Sequence, residues 1–338
     1  MILIQNYGIA ILFTVLAMIC WGSWANTQKI AEKTWRFELF YWDLILGLLF
    51  TALVAAFTLG SMGDIGRTFF EDIAGADTSS MLYAIAGGIL WNIGNILLVA
   101  AIAVAGLSVA FPIGGGIAWI LGIIINYILV VLSGNTPSNK PLMLWMGVAI
   151  IIVAIVLSGQ AFKRVAKVQK KPSAKGIILS VVAGVFIAFF YGFVVKSLDG
   201  QFVSGGTGNL TPFTAIVLFS VGIVVSTIVI NPIFMKYPIQ GKPVKMSLYW
   251  KGSYREHISG FLGGVIWMTG MIVSFMATGA ANPAIAYALS NGAPIVAILW
   301  GLFIWKEFAG APKGTNKLLI IMFVGYIAGL ILITISNI

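Results

Sequence analysis

Asp43 stands apart from the other ionisable residues of this 338-residue chain, most of which occupy short polar connections. It follows Leu39-Phe-Tyr-Trp and precedes an uncharged run from Leu44 to Met62. Ionisable groups inside a bilayer are costly and default to function. Burial favours the neutral form of a carboxyl group, so one at this depth can take up a proton on one side and release it on the other. It could equally ligate Na+ with backbone carbonyls. The structural alternative is an anchor at the membrane surface, paired with Lys29, Lys33 or Arg36 from the preceding connection. Glu38, five residues earlier and nearer water, is the second candidate for ion coupling and reads more readily as an anchor.

Amides and tryptophans form a second constellation. Asn92 and Asn95 lie three apart and share a helix face. Their side chains offer donors and acceptors, which suits a polyhydroxylated or amide-rich solute; the alternative is hydrogen bonding between helices. Trp91 beside them could stack on a ring. A gapless shift of 176 residues lays Gly87-Gly88-Ile89-Leu90-Trp91 on Gly263-Gly264-Val265-Ile266-Trp267. Trp267 is then the counterpart of Trp91, whereas Asn92 and Asn95 meet Met268 and Met271. The stretch Trp21-Gly-Ser-Trp-Ala-Asn-Thr-Gln-Lys29 adds Trp21, Asn26 and Gln28 as substrate contacts, with Lys29 available to balance Asp43. Asn291, between Ser290 and Gly292 and close to Pro294, sits deep in an apolar run, where a helix break would free carbonyls for a polar ligand.

Other residues read as structural. His257 falls in a basic loop beside Arg255 and Glu256 and reads as solvated. Trp35, Trp42, Trp145 and Trp250 read as an aromatic belt. Lone Cys20 reads as core filler. There is no clustered carboxylate, histidine or metal-ligand spacing of the kind a membrane-embedded enzyme needs, so no catalytic residue, metal or cofactor is expected.

The elements that must position these groups follow from composition. The chain is 60% hydrophobic and 9% charged, against about 45–50% and about 25% in soluble domains. At about 20 apolar residues per helix, its continuous apolar runs hold ten spans, near 8–26, 39–60, 81–103, 108–131, 142–160, 176–195, 212–232, 258–278, 284–305 and 318–337. The fold expected is all-α and integral to the membrane. Two hairpins turn near Ala105-Gly106 and Asn282-Pro283. The first run lacks a basic flank and a cleavage site, and reads as a retained helix.

The net charge of +10 is no sign of nucleic-acid binding, because the connections after spans 1, 3, 5, 7 and 9 carry 17 of the 20 basic residues. Basic loops stay in the cytoplasm. Both termini are therefore expected outside a cell (inner) membrane, with the acidic loop Asp64, Glu71, Asp72, Asp77 on their side. The organisation expected is a five-helix repeat over 1–162, a basic cytoplasmic linker over 163–175 and a second repeat over 176–338. Five is odd, so the second repeat enters the membrane inverted. Inverted halves are a hallmark of secondary transporters, with the substrate near the midplane between them. Gly325-x-x-x-Gly329 permits close helix contact and leaves room for a homodimer.

Ten spans in two inverted halves resemble the drug/metabolite transporter superfamily. Within it, Gly88-Ile-Leu-Trp-Asn-Ile-Gly-Asn95 and Pro112-Ile-Gly-Gly-Gly116 resemble the bacterial glucose/ribose uptake and rhamnose–proton symporter branch. Trp305-Lys306-Glu307 is similar to a lysine–glutamate pair found there, and Leu39-Phe-Tyr-Trp-Asp43 to the aromatic–Asp pattern of plant ureide permeases. The chain departs from those permeases in having no long central loop, and it has no Gly-x-x-x-x-Gly-Lys-Ser/Thr run to support ATP-driven transport. The reading reached is a secondary transporter, coupled to protons or sodium, that imports a small polar metabolite. A sugar comes first, a nucleobase or ureide second, drug or metabolite efflux third.

Overall fold

The computed structural model describes residues 1–2, 4–31, 34–62, 66–166, 173–199, 208–306 and 308–338. Lys33, Asp64, Glu307 and linker residues 167–172 lie outside the described residues. Among the described residues ten helices are long and apolar enough to cross a membrane: Tyr7–Ala31, Phe37–Phe57, Thr78–Ala105, Val109–Leu132, Pro141–Ala161, Ala174–Ser197, Pro212–Lys236, Tyr254–Ala281, Pro283–Ile304 and Thr315–Ile335. They are called spans 1 to 10 here. Among the described residues the only departure toward β structure is an isolated bridge between Leu198 and Leu210.

Local chemistry sets the ends. Gly106 takes φ +83° at the first hairpin turn, a conformation open to glycine. At the second, Asn282 caps the next helix by accepting the Ile285 N–H, and Pro283 takes the first helical position, where its missing N–H costs nothing. Span 8 starts four residues earlier than hydropathy suggests, because Ser253 and Glu256 form a capping box. Span 1 has a join at Trp24 between helices Tyr7–Ser23 and Ala25–Ala31. Span 9 breaks at Asn291-Gly292, between Pro283–Ser290 and Ala293–Leu299, then closes on a π turn over Trp300–Ile304.

Two close crossings organise the interior. An added Cβ on Gly88 would collide with the Phe219 carbonyl oxygen of span 7, and one on Gly264 with the Leu44 carbonyl oxygen of span 2. Gly222 and Gly47 return the same contact, against the carbonyls of Ile85 and Phe261. Close backbone approach through small residues is how membrane helices gain packing without a hydrophobic drive. Every extensive helix contact has a counterpart when spans 1–5 are exchanged with 6–10: span 3 on 6 answers 8 on 1, 2 on 8 answers 7 on 3, and 4 on 6 answers 9 on 1. Span 10 turns Ile320, Val324, Ile327 and Ile331 outward, a helical apolar stripe suited to lipid. Ile2 N–H bonds to Leu59 O and Lys140 N–H to Ser336 O, so both termini lie at the end that carries connections 2–3 and 4–5.

Candidate functional site

Where spans 1, 3, 4, 6, 8 and 9 meet, the described residues enclose a cavity of about 60 Å³. Its walls are Trp21, Trp24, Trp91, Phe111, Phe190 and Trp267, and its polar side chains are Asn95 and Asn291. Trp91 and Trp267, on the two aligned stretches, are brought ring to ring with centroids 4.1 Å apart. Trp21 stacks on Trp267 at 5.9 Å and donates its indole N–H to the Trp267 carbonyl at 3.1 Å, which locks both rings. Asn95 donates to the Tyr41 hydroxyl at 3.3 Å, and Asn291 sits at the span 9 break, donating to the Tyr287 carbonyl at 3.1 Å. Five of the eight substrate candidates thus line one space: Trp21, Trp91, Asn95, Trp267 and Asn291. Its small size describes a narrowed centre, since sites for small molecules usually hold about 300–1,000 Å³.

The other three candidates sit elsewhere. Asn92 is fully buried and engaged through both ends of its amide: its oxygen accepts from Tyr41 at 2.7 Å and Thr227 at 3.1 Å, and its nitrogen donates to Ser226 at 2.8 Å. It ties span 3 to spans 2 and 7. Asn26 accepts the Trp305 indole N–H at 2.6 Å and so holds the far end of span 9. Gln28 lines a separate vestibule of about 570 Å³ at the basic end, with Trp35, Arg36 and Gln240. A second vestibule of about 750 Å³ lies at the opposite end, between spans 4, 6 and 8.

Asp43 is buried, and among the described residues its partners are neither Lys29 nor Arg36. Tyr249 donates to its Oδ1 at 2.6 Å, and His257 Nδ1 lies 3.0 Å from both carboxyl oxygens. Burial, then Asp43 as acceptor, pushes the Tyr249 phenol well above its ordinary value, so it stays a donor. Arg36 is engaged with Glu38 through two bonds of 2.6 and 3.2 Å, and Lys29 lies over the Trp305 ring at 4.6 Å. Glu38 is fully buried rather than at the water's edge; Arg36 neutralises it and also clasps the carbonyls of Gln240 and Lys242.

His257 therefore corrects the reading of a solvated loop residue, and Trp35, also buried, leaves the aromatic belt. It packs edge-on against His257 at 5.2 Å and lies 6.3 Å from Tyr249. The Ser253-x-x-Glu256 spacing was the available signal, because it places His257 inside the first turn of span 8. Trp145 and Trp250 remain exposed, in keeping with a belt.

At the opposite end, Arg67 bonds Asp72 at 2.7 Å and Asp199 at 3.1 Å, and Asp72 accepts from the Thr211 backbone and hydroxyl. Burial opposes the charge on Arg67, but the two carboxylates outweigh it and hold the guanidinium more firmly protonated than usual. This clamp joins connection 2–3 to connection 6–7. Among the described residues no three His, Cys, Asp or Glu side chains converge as a metal site.

Comparison with known proteins agrees with this architecture. Ureide permease 1 and Ureide permease 2 of Arabidopsis thaliana are each 25% identical, over 396 and 404 aligned positions, covering 100% of this chain and 99% of the relative. Alignments that long against 338 residues mean that those permeases carry segments this chain lacks. A crystal structure aligns over 97% of this chain and 99% of its own at 13% identity, with a TM-score of 0.56, a likeness of fold alone. These comparisons bear out the resemblance to ureide permeases and do not confirm the one to the sugar-transporting branch. The sequence model of that family matches residues 40–163 and 160–336, and the chain belongs to the ureide permease family, whose members are multi-pass membrane transporters of small polar solutes.

Proposed function

We propose that this protein imports a flat, amide-bearing heterocycle, a ureide or nucleobase, with a proton as the coupling ion. The observation that carries the reading is the central cavity: walls of packed aromatic rings that include Trp91 and Trp267, with amides, among the described residues, only at Asn95 and Asn291. Flat rings gain from aromatic walls, and lactam or urea groups match amide donors and acceptors. A sugar carries more hydroxyls than two amides can satisfy. The relatives are named as ureide permeases, which favours the same substrate class.

Two vestibules on either side of a narrow centre suit alternating access between inverted repeats. The positions of basic residues support placing both termini outside and the linker within the cytoplasm. Asp43 is the proposed proton carrier, with His257 as exchange partner. Its oxygens meet the Tyr249 hydroxyl and a ring nitrogen of His257 rather than a shell of further oxygen ligands, which suits a proton better than a sodium ion. Coupling requires only that protonation favour one open state over the other.

Proteoliposome counterflow with labelled allantoin, uracil and glucose tests the substrate class. Exchange of allantoin or uracil but not glucose is expected; exchange of glucose alone overturns the reading.

A further inference from the structure

Gln28 is 2% exposed and donates its amide N–H to the Val99 carbonyl at 3.0 Å. Its own carbonyl oxygen is buried without a hydrogen-bond partner. Turning the amide over would set two acceptor oxygens against each other, so the Val99 bond fixes which end is orphaned. Buried acceptors are nearly always satisfied, and an orphan calls for a reason.

The vestibule that Gln28 lines, at about 570 Å³, is large enough for a small molecule. It lies further along the same helices as the central cavity: Trp24 and Asn95 line the centre, and Gln28 and Val99 follow each by four residues, about 6 Å along a helix axis. Trp35, Phe37 and Phe40 provide its aromatic wall.

The fold alone does not call for an amide here. Trp21-Gly22 of span 1 corresponds to Tyr191-Gly192 of span 6, a shift of 170 residues that carries Gln28 onto Leu198. Leu198 lines the vestibule at the opposite end. Equivalent places in the two halves thus hold an orphaned acceptor in one and an apolar side chain in the other.

We infer that the vestibule at the basic end is a second solute subsite, in which the Gln28 side chain turns its covered Oε1 toward the vestibule and accepts an N–H from a small lactam or urea-type molecule. This rests on the proposed substrate class and adds a station on the path, used only at one end of the molecule. A solute leaving the centre toward the basic end exchanges its bonds to Asn95 for one to Gln28, beside the ring of Trp35. Trp35 in turn packs on His257, so occupancy of the subsite lies one side chain from the Asp43 cluster.

The experiment places a cysteine at exposed Ala103, on the vestibule wall, in a full-length Cys20→Ala background. Maleimide labelling is followed with and without saturating allantoin, uracil or 2-imidazolidinone, a minimal cyclic urea. With native Gln28, at least one of the three slows labelling about fivefold or more. Gln28→Met abolishes this protection.

Asn95→Leu, aimed at the central cavity, leaves the protection in place. Failure of all three compounds to protect with native Gln28 overturns the subsite, as does equal protection in Gln28→Met. Loss of protection in Asn95→Leu also overturns it, by showing that the effect is relayed from the centre. Failure of counterflow with protection intact would instead sink the transport reading and leave the subsite standing.

Discussion

Span 3 and span 8 do the same structural work and different chemistry. Gly88 and Gly264 each bring a helix against a carbonyl of the opposite half, and Trp91 and Trp267 each present an indole to the same central space. One residue further along, span 3 carries Asn92 and, after it, Asn95, where span 8 carries the buried methionines Met268 and Met271. Residues that set the crossing recur in both halves, because a helix crossing imposes one steric demand wherever it occurs. The polar residues differ for two reasons: Asn92 is spent on Tyr41, Ser226 and Thr227, whereas Asn95 lines the central cavity, where the proposed solute would be gripped from one half only.

The largest effect should come from the shared part. Gly88→Val and Gly264→Val each drive a side chain into backbone, and each should cost more than about 3 kcal/mol. Neither variant should run as a monodisperse peak in detergent chromatography. If one is tolerated and the other is not, the two crossings are not equivalent.

Next is Asp43→Asn, which keeps shape and removes titration. It should abolish accumulation driven by a proton gradient in proteoliposomes while equilibrium exchange survives at least in part. Loss of both activities would make the Asp43–Tyr249–His257 cluster a structural clamp.

Asn95→Leu should weaken solute affinity about 10–100-fold, as expected when a buried hydrogen bond to a ligand is lost, with the melting temperature nearly unchanged. Asn92→Met should do the reverse. It takes the acceptor from the Tyr41 and Thr227 hydroxyls and should lower stability by about 2 kcal/mol, leaving affinity as it was. Met268→Leu, on the apolar side of the comparison, should cost less than about 1.5 kcal/mol by thermal unfolding. An affinity change in Asn92→Met that matches Asn95→Leu would erase the division between scaffold and site within span 3.

Spans, hairpin turns and the break in span 9 were legible in the residues, because lipid leaves the backbone so few solutions. A helix of about 20 apolar residues is the only open-ended segment that can cross, and Gly106, Asn282-Pro283 and Asn291-Gly292 interrupt it in recognisable ways. The pairing of Trp91 with Trp267 was suggested by the 176-residue alignment. What spacing could not reveal is which polar groups would be consumed by neighbouring helices.

Asn92 and Asn95 share a face, yet a rotation of about 60° around the helix (three residues at 3.6 per turn) turns one toward Ser226 and Thr227 and the other toward the cavity. Asp43 and His257 are separated by 214 residues and meet only because Gly260 and Gly264 let span 8 lie against span 2. Gln28 differs from its neighbours by the carbonyl oxygen it leaves unbonded, which depends on where Val99 falls. Sequence by itself determined the ten spans and their polar inventory, since hydrophobicity acts locally along the chain. Only the tertiary structure decided how that inventory divides between fold and function, since a hydrogen bond is met or left open by atoms far away in sequence.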